Sequence, residues 1–143
     1  MTPLARYAQA LSELTPDRVS ELAALLNEQA AFSDPFNRVT GRATFLRIFE
    51  DMYSRLEDVS FDVHRIANTP EGGFIYWTFS GHSRLTGTLS IDGVSRIELD
   101  DAGKVRVHED YWDASLLFER LPLLGRIIAR IRRKLALPGQ APF

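Results

Sequence analysis

The stretch Ala31-Phe32-Ser33-Asp34-Pro35-Phe36, taken together with Asp110-Tyr111-Trp112-Asp113 far downstream, decides how this chain is understood. In the first, a carboxylate sits between two aromatics and directly before a proline, which pushes Asp34 toward an extended backbone and aims its side chain. Apolar neighbours desolvate a carboxylate and raise its pKa, as a general base working near neutral pH requires. Ser/Asp-Pro is equally a turn opener, in which the carboxylate bonds its own backbone. The six residues alone favour the turn. A catalytic Asp34 is expected to be buried with a raised pKa, and a turn cap to be bonded to backbone amides.

Upstream, Leu4, Tyr7, Ala8, Leu11 and Leu14 recur at helical spacing and predict a first amphipathic helix. Thr15-Pro16-Asp17 restarts it, with Thr as cap and Pro at the first position, and Val19, Leu22, Leu25 and Leu26 supply the apolar face of a second helix. Ala30 to Ser33 reads as a short strand that delivers Asp34, and Asn37-Arg38-Val39 as a link. Thr40-Gly41 opens a third helix, whose Phe45, Ile48, Phe49, Met52, Tyr53 and Leu56 make one broad core face.

The texture then changes to strands. Val59, Phe61 and Val63 alternate with Ser60, Asp62 and His64, the period of a half-buried strand. Pro70-Glu71-Gly72-Gly73 turns into Phe74 to Phe79, apolar on both faces and therefore expected to be covered on each side. Thr86-Gly87 and Asp92-Gly93 punctuate the next stretch. Val94 to Leu99 and Lys104 to Tyr111 flank Asp100-Asp101-Ala102-Gly103, a hairpin connection.

Three helices and then antiparallel strands give an α+β class: a cone-shaped, curved, mostly antiparallel sheet wrapped around the N-terminal helices, with an extra C-terminal amphipathic helix. The third helix is expected on the concave side of that sheet. We divide the chain into a domain over 1–114 and a basic helix and tail over 115–143.

Composition narrows the function. At 143 residues the chain makes one core-bearing unit, and without cysteine it excludes disulfides, thiol catalysis and zinc knuckles. Three histidines without helical or cysteine spacing do not argue for a metal, and no cofactor is expected. No apolar run approaches bilayer-spanning length and the N-terminus does not read as a secretory signal, so a cytoplasmic location is the default expectation. Of 17 basic residues, six fall between Glu119 and Phe143 against one acid, leaving 11 basic and 18 acidic residues in the body. An acidic body argues against nucleic-acid binding.

In order and spacing, four segments resemble the nuclear transport factor two-like superfamily, especially its SnoaL-like and ketosteroid isomerase-like branch. They are Ala5-Arg6-Tyr7, Phe32-Ser33-Asp34-Pro35-Phe36, Gly41, and Leu99 to Val105 running on to Tyr111-Trp112-Asp113. The resemblance covers about Leu4 to Asp113. It implies that Asp34 stands where the isomerase base removes a proton next to a carbonyl, and that Tyr7 lies near the isomerase's hydrogen-bonding tyrosine. Where the isomerase keeps a neutral aspartic acid as second donor, this chain has Ser95, so the donor pair is incomplete. If Ser95 faces the cavity, hairpin register brings His108, Asp110 and Trp112 with it, and His82 joins from the preceding strand. Phe36, Phe49, Tyr53, His82 and Trp112 are the expected ligand-binding residues. The plainer alternative for His82 is a solvent-facing strand end, and for Asp110 an anchor for the Trp112 segment.

Two functions remain open. One is a small-molecule enzyme of isomerase, cyclase or dehydratase type, using Asp34 for proton transfer on an apolar carbonyl or polycyclic substrate. The other is a non-catalytic ligand-binding or protein-interaction domain of the same fold. A homodimer is expected through an outer sheet surface carrying Ile75, Trp77 and Phe79. In the tail, Ser115 to Leu121 reads as a helix stopped by Pro122, and Ile127, Ile128, Ile131 and Leu135 form an apolar stripe among arginines. Such a helix suits an anionic membrane or an acidic partner. The preferred expectation is the plainer one, a stripe packed over the sheet or against a dimer mate.

Overall fold

A computed structural model describes residues 1–140. The chain begins with α1 (Pro3–Ser12), capped by Thr2, whose hydroxyl accepts from the Ala5 amide at 3.1 Å. Its periodic residues Leu4, Tyr7, Ala8 and Leu11 are all buried. The next segment, Pro16–Leu25, is a 3-10 helix rather than the α-helix expected. Its apolar residues Val19, Leu22 and Leu25 step by three, which lines them up on one face at three residues per turn. Leu26 does not belong to it. It starts β1 (Leu26–Ser33), which is longer than the short strand expected from Ala30. The Asn37–Val39 link contains a further short strand, β2 (Arg38–Thr40).

Gly41, at φ 106°, opens α2 (Arg42–Arg55), and Phe45 and Phe49 of this helix are buried against the sheet. Four strands come next: β3 (Glu57–Thr69), β4 (Gly72–Ser83), β5 (Gly87–Leu99) and β6 (Val105–Trp112). The sheet order is β2-β1-β6-β5-β4-β3, antiparallel throughout except for the parallel pair β1/β6. Register shifts interrupt β3/β4 twice and β5/β6 and β1/β6 once each. Such irregularities bend strands and increase twist, and strands of 12 and 13 residues accordingly curve around α1 and α2. The architecture is the curved, mostly antiparallel sheet expected, an open one of six strands, with α2 on its concave side.

Three expectations for the strands change. Asp92-Gly93 does not break the chain: β5 runs straight through it. A Cβ on Gly93 would stand 2.3 Å from the Trp77 ring, so glycine is there to let that indole lie flat across the strand. Ile75, Trp77 and Phe79 share one face, but it is the concave one, with Ile75 and Trp77 buried and Phe79 packed on the core. The outward residues of β4 are Phe74 and Tyr76, both exposed. The strand is therefore not covered on both sides, and the three residues expected on a dimer surface are core.

The tail holds a four-residue helix, α3 (Ser115–Phe118), which ends well before Pro122, and α4 (Leu124–Leu135). The stripe of α4 does not pack over the sheet: Ile127, Ile131 and Leu135 are exposed, and Ile128 is half-buried. Among the described residues, no helix is long and apolar enough to cross a membrane.

Candidate active site

The concave face of the sheet and α2 line a cavity of about 430 Å³. This lies in the range of small-molecule sites, roughly 300–1,000 Å³. Its walls are mostly apolar, from Phe49 and Met52 on α2, Phe61, Trp77 and Ile91 on the sheet, and Leu117 of α3. Polar groups are fewer, and three carboxylates stand among them, Asp34, Asp51 and Asp110, of which Asp51 pairs with Arg55 at 3.1 Å.

Asp34 has the geometry of the turn. Its Oδ1 accepts from the backbone amides of Phe36 at 2.8 Å and Asn37 at 2.7 Å, and the Asn37 amide side chain reaches both oxygens at 3.1 and 3.2 Å. Its own backbone N–H donates to the Asn37 carbonyl at 3.0 Å. Proline at 35 removes one amide from the loop, and the carboxylate ties the next two back to the strand end. The result is a closed loop that holds Phe36 edge-on to Trp112 and Phe118, with ring centres 5.6 and 5.8 Å apart.

Asp110 is differently placed. The β5/β6 register sets Ser95 directly opposite it, and the parallel pairing of β1 with β6 sets Phe32 opposite His108. Ser95 donates its hydroxyl to Asp110 Oδ1 at 2.5 Å, and the Trp77 indole N–H donates to Ser95 Oγ at 2.8 Å. From the other side, His108 Nε2 lies 2.7 Å from the same Oδ1, and the Tyr7 hydroxyl lies 2.7 Å from His108 Nδ1. In the neutral tautomer that satisfies both contacts, Tyr7 donates to Nδ1 and Nε2–H donates to the carboxylate. Two relays, Trp77 to Ser95 and Tyr7 to His108, therefore converge on one oxygen. Oδ2 of Asp110 has no hydrogen-bond donor among the described residues.

Burial makes these relays rigid. Ser95 is 1% exposed and His108 2%, and the imidazole is wedged among the rings of Tyr7, Phe32 and Phe45. A buried donor or acceptor without a partner is costly, so each member fixes the rotamer of the next. Burial pushes the Tyr7 phenol well above its ordinary pKa, and the Asp110 charge pushes it the same way, so Tyr7 keeps its proton as a donor. Behind the carboxylate is a void of about 10 Å³ lined by Leu11, Trp77, Ser95 and His108, barely room for one water.

Of the residues expected in the site, Tyr7, Ser95, His108 and Asp110 come together, but only Asp110 of these four lines the large cavity. Phe36, Phe49 and Trp112 line it as expected. Tyr53 and His82 do not. Tyr53 packs beside the core with its hydroxyl buried and without a hydrogen-bond partner among the described residues. His82 alternates with the inward Gly81 and bonds Thr88 on the far face at 3.1 Å, so it is the plain strand end. Trp77, expected on the outer surface, is instead a member of the relay. The signal in the sequence is Gly93, whose missing side chain leaves room for a large ring on the neighbouring strand. No cluster of three or more potential metal ligands occurs among the described residues.

The SnoaL-like domain model matches residues 4–108. The chain belongs to the SnoaL-like family. Solved structures agree on the fold. A protein with ketosteroid isomerase-like fold from Catenulispora acidiphila, crystallised with trimethylamine, aligns with a TM-score of 0.70 at 15% identity, over 86% of this chain and 95% of that one. A nuclear transport factor two-like protein of unknown function from Burkholderia pseudomallei gives 0.73 at 11% identity, over 85% and 99%. An LEH-like epoxide hydrolase of M. tuberculosis gives 0.65 at 21% identity, over 92% and 96%. No curated protein matches the chain significantly. At such identities the likeness carries the fold and leaves the reaction to the site.

Proposed function

We propose that this SnoaL-like domain holds an apolar small molecule and transfers a proton on it, with Asp110 rather than Asp34 as the group that moves the proton. The observation that carries this reading is the convergence of both relays on Asp110 Oδ1. They orient the carboxylate while Oδ2 keeps its lone pairs for the ligand. For a carbonyl substrate, Oδ2 accepts a proton from the carbon next to the carbonyl, and the C–H electron pair shifts onto the carbonyl oxygen as an enolate. Return of the proton to the same or a conjugated carbon completes exchange or isomerisation. The indole N–H of Trp112, which lines the cavity and has no acceptor among the described residues, is the donor proposed for the oxygen. Tyr7, His108, Ser95 and Trp77 are positioning residues in this scheme.

The second reading, a binding domain without chemistry, is favoured by one observation, the consumption of Asp34 in its turn. A screen of cyclic and polycyclic ketones in D2O, followed by proton NMR, separates the two. A bound ketone is expected to exchange its α-protons in the presence of the protein. Asp110→Asn should leave binding within about threefold and slow exchange by roughly 10²-fold or more. Exchange that survives Asp110→Asn removes Asp110 from the chemistry, and ketones that bind without exchanging support the binding domain.

A further inference from the structure

Among the described residues, 13 large hydrophobic side chains are exposed, and six of them fall within 15 residues of the tail: Leu123, Leu124, Ile127, Ile131, Leu135 and Leu137. Exposure reaches 56% at Ile127, 48% at Ile131 and 83% at Leu135. At about 100° per residue, Leu124, Ile131 and Leu135 lie along one line of α4, with Ile127 beside it. Scattered single hydrophobics are normal on a surface, but a helix-long stripe is not.

The opposite face is made of charge of one sign. Arg126, Arg130, Arg133 and Lys134 make no ion pair among the described residues, and the chain carries no acid after Glu119. Arg132 is set apart from them. It reaches Asp113 at the end of β6 and Glu119 beyond α3, at 2.5 and 3.1 Å, and so clamps α4 to the body with its stripe turned outward. Gly125 closes the joint, since a Cβ there would stand 2.2 Å from the Glu119 carbonyl.

We propose that α4 lies on an anionic lipid surface, its Leu/Ile stripe in the acyl boundary and its arginines and lysine among the headgroups. Twelve residues span about 18 Å, too short to cross the hydrocarbon core, and the helix is held at its flank as a surface-lying helix would be. Charge selects this occupant over two others. Pairing with α4 of a second copy would bring two rims of like charge together. A protein groove would need acids at fixed positions and favours aromatic anchors, whereas no aromatic occurs between Glu119 and Gln140. A fluid anionic surface accepts every cation wherever its long stem reaches. Binding through α4 does not depend on the chemistry assigned to Asp110.

The test is vesicle co-sedimentation of the full chain. Binding is expected to vesicles of phosphatidylcholine with about 30% phosphatidylserine, not to phosphatidylcholine alone, and to weaken in about 1 M salt, where the screening length is about 3 Å. Ile131→Asp should lower partitioning roughly tenfold or more, and so should Arg130→Glu with Arg133→Glu. A thermal melt of each variant matching the parent shows that the body is intact. Absence of binding to the anionic vesicles overturns the proposal, as does binding that Ile131→Asp leaves unchanged. A dimer in light scattering that Ile131→Asp dissolves assigns the stripe to a second copy and also overturns it.

Discussion

Ser95→Ala removes a single oxygen and tests the whole site. That oxygen donates to Asp110 and accepts from Trp77, so its loss breaks two hydrogen bonds at once. The indole of Trp77 is buried against Gly93 and Phe61, and its N–H has no second acceptor among the described residues, so it is stranded at a cost of about 1–3 kcal/mol. The Asp110 carboxylate loses one charge-assisted donor, worth about 1.5–3 kcal/mol when nothing replaces it, but its exposed edge can recruit water from the cavity. The smaller part of that second figure is therefore expected. Together the change should cost about 2–4 kcal/mol, lowering Tm by roughly 6–14 °C in a domain of this size. Differential scanning calorimetry or urea unfolding measures it. A double-mutant cycle with Asp110→Asn should return a coupling above about 0.5 kcal/mol, as for residues in one hydrogen-bond network. If Ser95→Ala shifts stability by less than about 0.5 kcal/mol, the relay is not structural and the reasoning from convergent donors is wrong.

Two further outcomes are expected. Asp34→Ala should cost about 1 kcal/mol in thermal unfolding by releasing the Phe36 and Asn37 amides, whereas Asp34→Asn, which can still accept both, should cost less and leave α-proton exchange intact; loss of exchange in Asp34→Asn would return the chemistry to Asp34. The second concerns acid. Asp100 is held below its ordinary 3.8, chiefly by the Asn27 side chain and then by the Lys104 amide, and Glu109 below its ordinary 4.5, chiefly by Arg96 and then by Tyr111. Depressed acids contribute stability that is present above their unfolded pKa and lost as pH falls through the folded one. Tm should therefore hold above about pH 5 and decline below the ordinary values, with a smaller decline in Asp100→Asn; an equal decline in that variant would exclude the Asp100 turn as a source.

An element is legible in the sequence where one energetic term dominates. The third helix and the β5/β6 hairpin stand out because apolar period and turn chemistry agree there: Phe45 and Phe49 share a face, and the Asp100–Gly103 loop sets the register. That register carries Ser95, His108 and Asp110 to one side, so their meeting could be read from parity alone. Parity says which residues share a face but not which way the face looks. In β4 both faces are aromatic, Phe74 and Tyr76 against Ile75, Trp77 and Phe79, and hydrophobicity cannot choose between them. Gly93 decides it, through a contact between strands that no single-strand pattern contains.

The two aspartates show the same division more sharply. Asp34 is conspicuous in sequence because its neighbours are unusual, and those same neighbours, the proline and the loop amides behind it, give the carboxylate local work. The surroundings of Asp110 are not local in sequence: its donors Ser95 and His108 come from β5 and its own strand, and behind them stand Trp77 on β4 and Tyr7 on α1. Local partners can satisfy a carboxylate completely, since a turn brings several amides to it at little cost in ordering. Distant partners are bound by the sheet register and the α1 packing, so they meet the carboxylate from fixed directions and leave others open. The donors of Asp110 all arrive on one oxygen for this reason, through β5 on one side and through α1 and His108 on the other. An acid held in that way is oriented without being used up, and that difference, more than exposure or charge, separates Asp34, which closes a turn, from Asp110, the carboxylate proposed to face a ligand.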